Sequence, residues 1–188
     1  MSYSKIDLYT VGKYGIHEHA RFDRTIKFLD NRVFGRTLDI GKTNEFSKWL
    51  EKYYSIAIDN TDGDLNYPGW LPRREKGIYD TIFMFEVIEH LLNPLTFLNE
   101  LSKLCNNETR VFITYPAGTW IAWCMKMHFH EIKRDIFQVL LEHSPFVEVR
   151  YENVFLWKDW RYWLFRVRPF LRYVVFGLRY QFYEIKIK

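Results

Sequence analysis

Residues 79–91 read YDTIFMFEVIEHL. The run TIFMF is apolar without alternation, as expected of a strand covered on both faces in a parallel sheet. Charge arrives at once behind it, as Glu86, Glu89 and His90. In an open parallel sheet, ligands bind beyond the carboxyl ends of the strands. This one stretch therefore suggests both a fold class and the end of the sheet where the chemistry sits.

The segments on either side repeat the pattern. RTLDIG (36–41), SIAID (55–59) and TRVFITYP (109–116) read as further short strands. Between them lie helical periods. EHARFDRTIKFLDN (18–31) spaces Phe22, Ile26 and Leu29 for one face, and NEFSKWLEKYY (44–54) does so with Phe46, Trp49, Leu50 and Tyr53. NPLTFLNELSKLCNN (93–107) has Asn93 as a cap, Pro94 in the first turn and Phe97, Leu98, Leu101 and Leu104 as the buried stripe. EIKRDIFQVLLEH (131–143) is expected to turn Ile132, Ile136, Val139 and Leu140 inward. FVEVRYENVF (146–155) and YQFYEIKIK (180–188) alternate like half-exposed strands. Strands alternating with helices predict an α/β fold, a three-layer Rossmann-like sheet with helices on both faces. The sheet should be mostly parallel with an antiparallel last strand, in a single domain over residues 1–188.

The whole-chain properties fit that reading. A chain of 188 residues, 48% apolar and 27% charged, buries a sizeable core. Cys105 and Cys124 form no CxxC pair, which favours a reducing, cytoplasmic setting and buried apolar roles for both. The opening MSYSKIDLYT has no apolar core of a secretory leader, and no stretch approaches the roughly 18 apolar residues of a membrane span. The net charge of +4 is uneven: residues 151–188 carry eight Lys/Arg against three Asp/Glu, leaving −1 for the first 150.

Together, LDIG at 38–41, the strand-ending Asp59, YDTIFMFEVIEHL and TYP at 114–116 resemble the class I S-adenosylmethionine (SAM)-dependent methyltransferases of the type 11/23 kind. The resemblance covers about Arg36 to Glu152, with EIKIK matching the usual last strand. It implies SAM as cofactor. Asp39 would serve the amino-acid end of SAM, Gly41 a close backbone approach, and Asp59 the ribose hydroxyls, with Asn60 and Glu86 beside them. Asp64 and Leu65 would bracket the adenine, and Lys42 would favour the SAM carboxylate. Two of the family's three loop glycines are replaced, by Thr43 and Glu45. A loop one residue shorter, turning through Lys42-Thr43-Asn44, is the expected remedy, because Asn tolerates the left-handed region best. Only 20 residues separate Asp59 from Tyr79, so one helix of the usual pair should be lost or reduced.

A helix starting straight after the strand would place Glu86, Glu89 and His90 on one face. The E-x-x-E-H spacing also resembles two metal-using groups, the ubiquinone-biosynthesis O-methyltransferases and the RNA 3′-terminal 2′-O-methyltransferases. That implies Mg or Mn held by Glu86, Glu89 and His90, with His130 or His128 as a further ligand. The other reading leaves out the metal, with His90 and His130 as acid–base groups and Glu89 shaping the turn.

The segment 156–179 is a basic, aromatic and helical insert ahead of the last strand, with Arg161, Arg168, Arg172 and Arg179 near one line. It suits contact with an acidic membrane surface, a lid, an interface between subunits or a nucleic acid backbone. The expected function is SAM-dependent methyl transfer to a hydroxyl, amine or carboxyl of a small or lipid-linked acceptor. The alternatives are a non-catalytic binding module of the same fold and a metal-dependent RNA 2′-O-methyltransferase.

Overall fold

The computed structural model describes residues 16–67, 70, 79–117, 129–130, 132–155 and 179–188. Its strands are β1 (Thr37–Asp39), β2 (Ile58–Asn60), β3 (Thr81–Phe85), β4 (Arg110–Ala117), β5 (Phe146–Phe155) and β6 (Arg179–Ile187). The helices are α1 (Ile16–Leu29), α2 (Glu45–Tyr54), α3 (Pro94–Leu101) and α4 (Arg134–Glu142). The six strands form one sheet in the order β2-β1-β3-β4-β6-β5. The pairs β1–β2, β1–β3 and β3–β4 are parallel, while β6 runs antiparallel to both β4 and β5. The expected mixed sheet with a reversed last strand is therefore what forms.

Each face of the sheet carries its own core. On one side Leu38, Ile82, Met84, Val111, Ile113, Tyr115, Tyr183 and Ile185 pack with Phe97, Leu98 and Leu101 of α3 and Phe137 of α4. On the other, Phe83, Phe112 and Phe182 pack with Phe22, Ile26 and Leu29 of α1 and Phe46 and Leu50 of α2. Strand β3 is central to both, which is why its sequence shows no polar alternation. A buried Phe or Leu of this kind contributes roughly 1.5–3 kcal/mol.

The α3 stripe is buried as expected, and Asn93 caps the helix by accepting from the Thr96 backbone N–H at 3.1 Å. Two faces are phased differently from the periodicity. Helix α4 begins at Arg134, so Ile132 is buried in the extended segment before it, and Phe137 and Leu141 form the inward face. Leu140 is partly buried, but Ile136 and Val139 are 49% and 51% exposed. The Phe137 ring lies 4.3 Å from that of Tyr183 and 5.5 Å from that of Tyr115. Burying an aromatic of that size outweighs burying an isoleucine one position earlier. Of the four apolar residues expected on the inner face of α2, only Phe46 and Leu50 are buried. Tyr53 is exposed and stacks on the half-buried Trp49 at 4.7 Å.

Residues 61–67 between β2 and β3 contain neither helix nor strand, and Trp70 packs on Phe97 at 4.5 Å. The rest of that connection lies outside the described residues, as do His128 and residues 156–178 of the basic insert. Arg179, its last residue, opens β6. No helix among the described residues is long and apolar enough to cross a membrane.

Candidate active site

The carboxyl ends of β1, β2 and β3 lie side by side. Leu38 is level with Asp59 and Ile82, and Asp39 with Asn60 and Phe83. The Ile40 N–H extends the ladder to the Phe83 carbonyl at 2.9 Å, and then the chain turns at Gly41, whose φ is 124°. Only glycine adopts that conformation without strain. Its N–H donates to Thr61 Oγ1 at 2.7 Å, and a Cβ built on it would meet nothing within 4 Å. The loop thus has an open cradle where a side chain would otherwise stand.

The residues after Gly41 need no further glycine. Asn44 does not take the expected left-handed conformation. Its φ of −133° and ψ of 172° are extended, and its side chain caps α2 by accepting from the Ser47 N–H at 3.0 Å. Capping satisfies a helix donor that would otherwise be orphaned, and this outweighs the turn geometry expected from residue preference. Thr43, in a missing-glycine position, donates to Asn60 Oδ1 at 2.9 Å. The Asn60 amide in turn donates to the Gly41 carbonyl at 3.3 Å and reaches the Asp39 carbonyl and carboxylate at 3.5 Å. Asn60, a candidate cofactor residue, is thus a brace of the loop. Lys42 stays exposed, and Glu45 sits in the first turn of α2 with Lys48 at 3.1 Å. Asp39 is 5% exposed and accepts from the Ser47 hydroxyl. Burial pushes its carboxyl up to about 7, against the opposing bonds from Ser47 and Asn60.

At the β2 end, Asp59 Oδ2 accepts from the Tyr79 hydroxyl at 3.0 Å and from Arg36 Nη2 at 3.4 Å. The Arg36 guanidinium lies 4.7 Å from the centre of the Tyr79 ring. Burial, then the neighbouring Asp59, raises the Tyr79 hydroxyl. Neither Arg36 nor Tyr79 stood out as a site residue in the sequence. The available signal was a tyrosine opening an apolar run, because a buried tyrosine hydroxyl needs a partner. Asp64 is used locally: Oδ1 accepts from the Asn66 backbone at 2.9 Å and the Asn66 amide at 3.1 Å, an Asx turn, while Leu65 packs against the core.

The β3 end departs from a simple helix start. Glu86 has a φ of 55°, in the left-handed region where a non-glycine residue is strained, and its N–H donates to the Thr114 carbonyl at 2.8 Å. A single 3-10 turn, Ile88–His90, follows in place of the expected α-helix. The reversal at Glu86 takes up the space of a first helical turn. It sends the Glu86 side chain to Arg21 of α1, with Oε2 2.9 Å from Nη1, while Oε1 accepts from the Thr114 hydroxyl at 3.2 Å. Burial raises the Glu86 carboxyl, with Arg21 opposing. Arg21 is a third residue that sequence reasoning missed.

Glu89 is 2% exposed, and its Oε2 has no hydrogen-bond partner among the described residues. Its Oε1 lies 3.9 Å from His90 Nε2. Burial, and next the charge of Glu86, push this carboxyl up to about 8. The Glu89 carbonyl accepts from the N–H groups of Phe129 at 2.9 Å and His130 at 3.4 Å, and His130 Nε2 lies 3.3 Å from the Leu92 carbonyl. The turn thus brings Glu86, Glu89, His90 and His130 into one neighbourhood. Among the described residues no three His, Cys, Asp or Glu side chains come together to hold a metal ion. Glu86, a candidate ligand, is paired with Arg21.

Residues 14–173 match the methyltransferase domain family. No curated protein matches the sequence. A SAM-dependent methyltransferase from Archaeoglobus fulgidus superposes with a TM-score of 0.61 at 15% identity, over 98% of this chain and 100% of that one. One from Mesorhizobium loti does so with 0.61 at 11%, over 92% and 98%. Phosphoethanolamine N-methyltransferase 2 of Haemonchus contortus, in complex with phosphomonomethylethanolamine and S-adenosylhomocysteine, reaches 0.64 at 10%, over 100% of this chain and 61% of that one. At such identities the structures speak for the fold, and the match over 14–173 speaks for the family. With the acids Asp39, Asp59 and Glu86 at the carboxyl ends of its parallel strands, this chain belongs to the methyltransferase domain family, the class I SAM-dependent methyltransferases.

Proposed function

We propose that SAM lies across Gly41 and that its methyl group goes to a hydroxyl, amine or carboxyl of a small or lipid-linked acceptor. The observation that carries this reading is the Gly41 cradle, a glycine at positive φ with open space where a Cβ would stand, at the carboxyl end of the first strand. Asp59 would take the ribose hydroxyls, because both of its contacts with described residues fall on Oδ2. Asp39 and the loop amides would serve the amino-acid end, Lys42 the cofactor carboxylate and Leu65 the adenine. Glu86, Glu89, His90 and His130 would flank the acceptor. SAM brings an activated methyl, so the chain's main task is to aim the nucleophile and manage its proton.

Calorimetric titration with S-adenosylhomocysteine tests this reading. Saturable binding to the wild type, lost in Gly41→Val, is expected. No heat at high micromolar ligand with folded protein would leave the fold as a non-catalytic binding module.

We further infer that the basic aromatic segment 156–179 docks on an acidic membrane surface, where a lipid-linked acceptor would be presented. Its support is the excess positive charge confined to residues 151–188 and interleaved with Trp, Phe and Leu. Co-sedimentation with anionic liposomes should weaken with salt and in the double variant Arg168→Glu, Arg172→Glu. Unchanged binding in that variant refutes it.

A further inference from the structure

We propose that Arg36 and Tyr79 are positioning residues for the cofactor's ribose: they fix Asp59 by one oxygen and so present the other to a ribose hydroxyl. The inference rests on the reading that SAM lies across Gly41 with its ribose at Asp59.

Asp59 stands on β2, the edge strand of the sheet, just before Asn60 and Thr61, which hold the Gly41 loop. Its side chain is 33% exposed, and residues 61–67 beyond it form neither helix nor strand. Packing alone therefore does not fix this carboxylate, and a ligand that had to order it would bind more weakly for doing so. Two donors supply the restraint. The Tyr79 hydroxyl donates to Oδ2 at 3.0 Å, and Arg36 Nη2 donates to the same oxygen at 3.4 Å. The Arg36 guanidinium also lies over the Tyr79 ring, 4.7 Å from its centre, so each member of the trio touches the other two.

Both donors stand on backbone that is itself tied. The Tyr79 N–H donates to the Leu104 carbonyl at 3.0 Å, and the Tyr79 carbonyl accepts from the Thr109 hydroxyl at 2.6 Å. The Arg36 N–H donates to Asp80 Oδ2 at 2.7 Å, and the Arg36 carbonyl accepts from the N–H groups of Asp80 and Thr81. Tyr79 is buried, and burial followed by Asp59 raises its hydroxyl, which keeps the proton that it donates. Arg36 precedes β1 and Tyr79 precedes β3, so Oδ2 is drawn toward the amino ends of the strands. Among the described residues no hydrogen bond falls on Oδ1. Oδ1 is the acceptor left for a ligand at the carboxyl ends, where Gly41 lies.

The test is calorimetric titration of the full chain with S-adenosylhomocysteine and with its 2′-deoxy and 3′-deoxy analogues. A hydrogen bond to a charged acceptor corresponds to about tenfold or more in affinity, so at least one deoxy analogue should bind about tenfold more weakly. Asp59→Ala should erase that preference. Tyr79→Phe deletes one donor and keeps the ring, and Arg36→Met deletes the other and keeps the stem. Each should cut the preference about threefold, because the ligand must then order the carboxylate itself. Tyr79→Phe added to Asp59→Ala should change nothing further. A purely structural role would weaken all three ligands by the same factor, and that result overturns the proposal. So does a wild-type preference retained in both single variants. Equal binding of all three ligands by the wild type overturns it too, while leaving the cofactor reading intact. If Tyr79→Phe does not fold, Arg36→Met, at an exposed position, decides alone. Failure of S-adenosylhomocysteine to bind the wild type instead overturns the cofactor reading beneath it.

Discussion

Raising the pH from about 5 to about 8 should destabilise this protein, the reverse of the usual trend for carboxylates held in ion pairs. Asp39 and Glu89 are the cause. Burial moves Asp39 from 3.8 up to about 7 and Glu89 from 4.5 up to about 8. The folded chain therefore keeps these two protons to higher pH than the unfolded chain does. Between the two sets of values it binds more protons, so its stability is full at the acid end and falls as the carboxyls ionise. Glu86 is raised as well and pulls in the same direction. At about 1.4 kcal/mol per pH unit, full shifts would cost about 3 kcal/mol for each of Asp39 and Glu89 across this window. Relaxation and water entry lower such penalties, so a total of about 3 kcal/mol is expected. For a chain of this size that corresponds to a fall in Tm of about 6–12 °C.

Urea or thermal unfolding in matched-salt buffers at the two pH values measures the difference. Asp39→Asn and Glu89→Gln remove the titrating groups with little change of shape, and each should flatten the slope by about half. Glu89→Gln should also raise stability at the alkaline end, since it removes a buried charge whose Oε2 has no hydrogen bond among the described residues. Stability that is flat or rising with pH, or slopes unchanged in both variants, would refute the reasoning. The carboxylates would then be relieved by contacts other than the Ser47 and Asn60 bonds at Asp39 and the backbone N–H and Arg21 charge at Glu89.

Two further predictions follow from single positions. Gly41→Ala places a methyl group in the cradle at a φ of 124°, so S-adenosylhomocysteine affinity should fall at least tenfold while stability drops by about 1–2 kcal/mol. Retained affinity would show that Gly41 faces away from the cofactor. Glu184 is 2% exposed on β6, within 4 Å of Arg32 at 2.6 Å, Arg110 at 3.5 Å and Arg150 at 3.6 Å. Glu184→Gln leaves those guanidiniums facing one another and should cost about 2 kcal/mol by urea unfolding, less than a fully buried pair because the arginines reach solvent.

The parts of this structure that were readable in advance are those set by local physics. The unbroken apolar run at 81–85 becomes the strand buried on both faces, and Asn93-Pro94 starts α3 as capping preferences require. The misread positions depend on contacts distant in sequence. Ile136 lost its inward place because Phe137 found the rings of Tyr115 and Tyr183, more than twenty residues upstream and forty downstream. Glu86 left the expected helical face because Thr114 accepts its N–H and Arg21 draws its side chain from a helix that precedes the first strand. Asp59 could be identified as a strand-end acid, but its restraint by Arg36 and Tyr79 could not. That restraint depends on the parallel register that sets β2 beside β1 and β1 beside β3.

The altered glycine loop is where these two kinds of information meet. In isolation, Thr43 and Glu45 in place of glycine read as damage to a cofactor site. Between β1 and α2, positive φ is needed only at Gly41, and the loop reaches its helix through extended backbone that any residue adopts. Once that is so, glycine at position 43 would carry no advantage. A threonine there donates to Asn60, and Asn60 in turn holds the Gly41 carbonyl. The loop has replaced conformational freedom with side-chain hydrogen bonds to the neighbouring strand. A glycine-rich loop stays open because its backbone is unhindered, whereas this one is held open by bonds at both ends, from Thr61 to the Gly41 N–H and from Asn60 to its carbonyl. Both bonds come from the end of β2, which also carries Asp59. The two parts of the proposed SAM site are therefore fixed by the same strand.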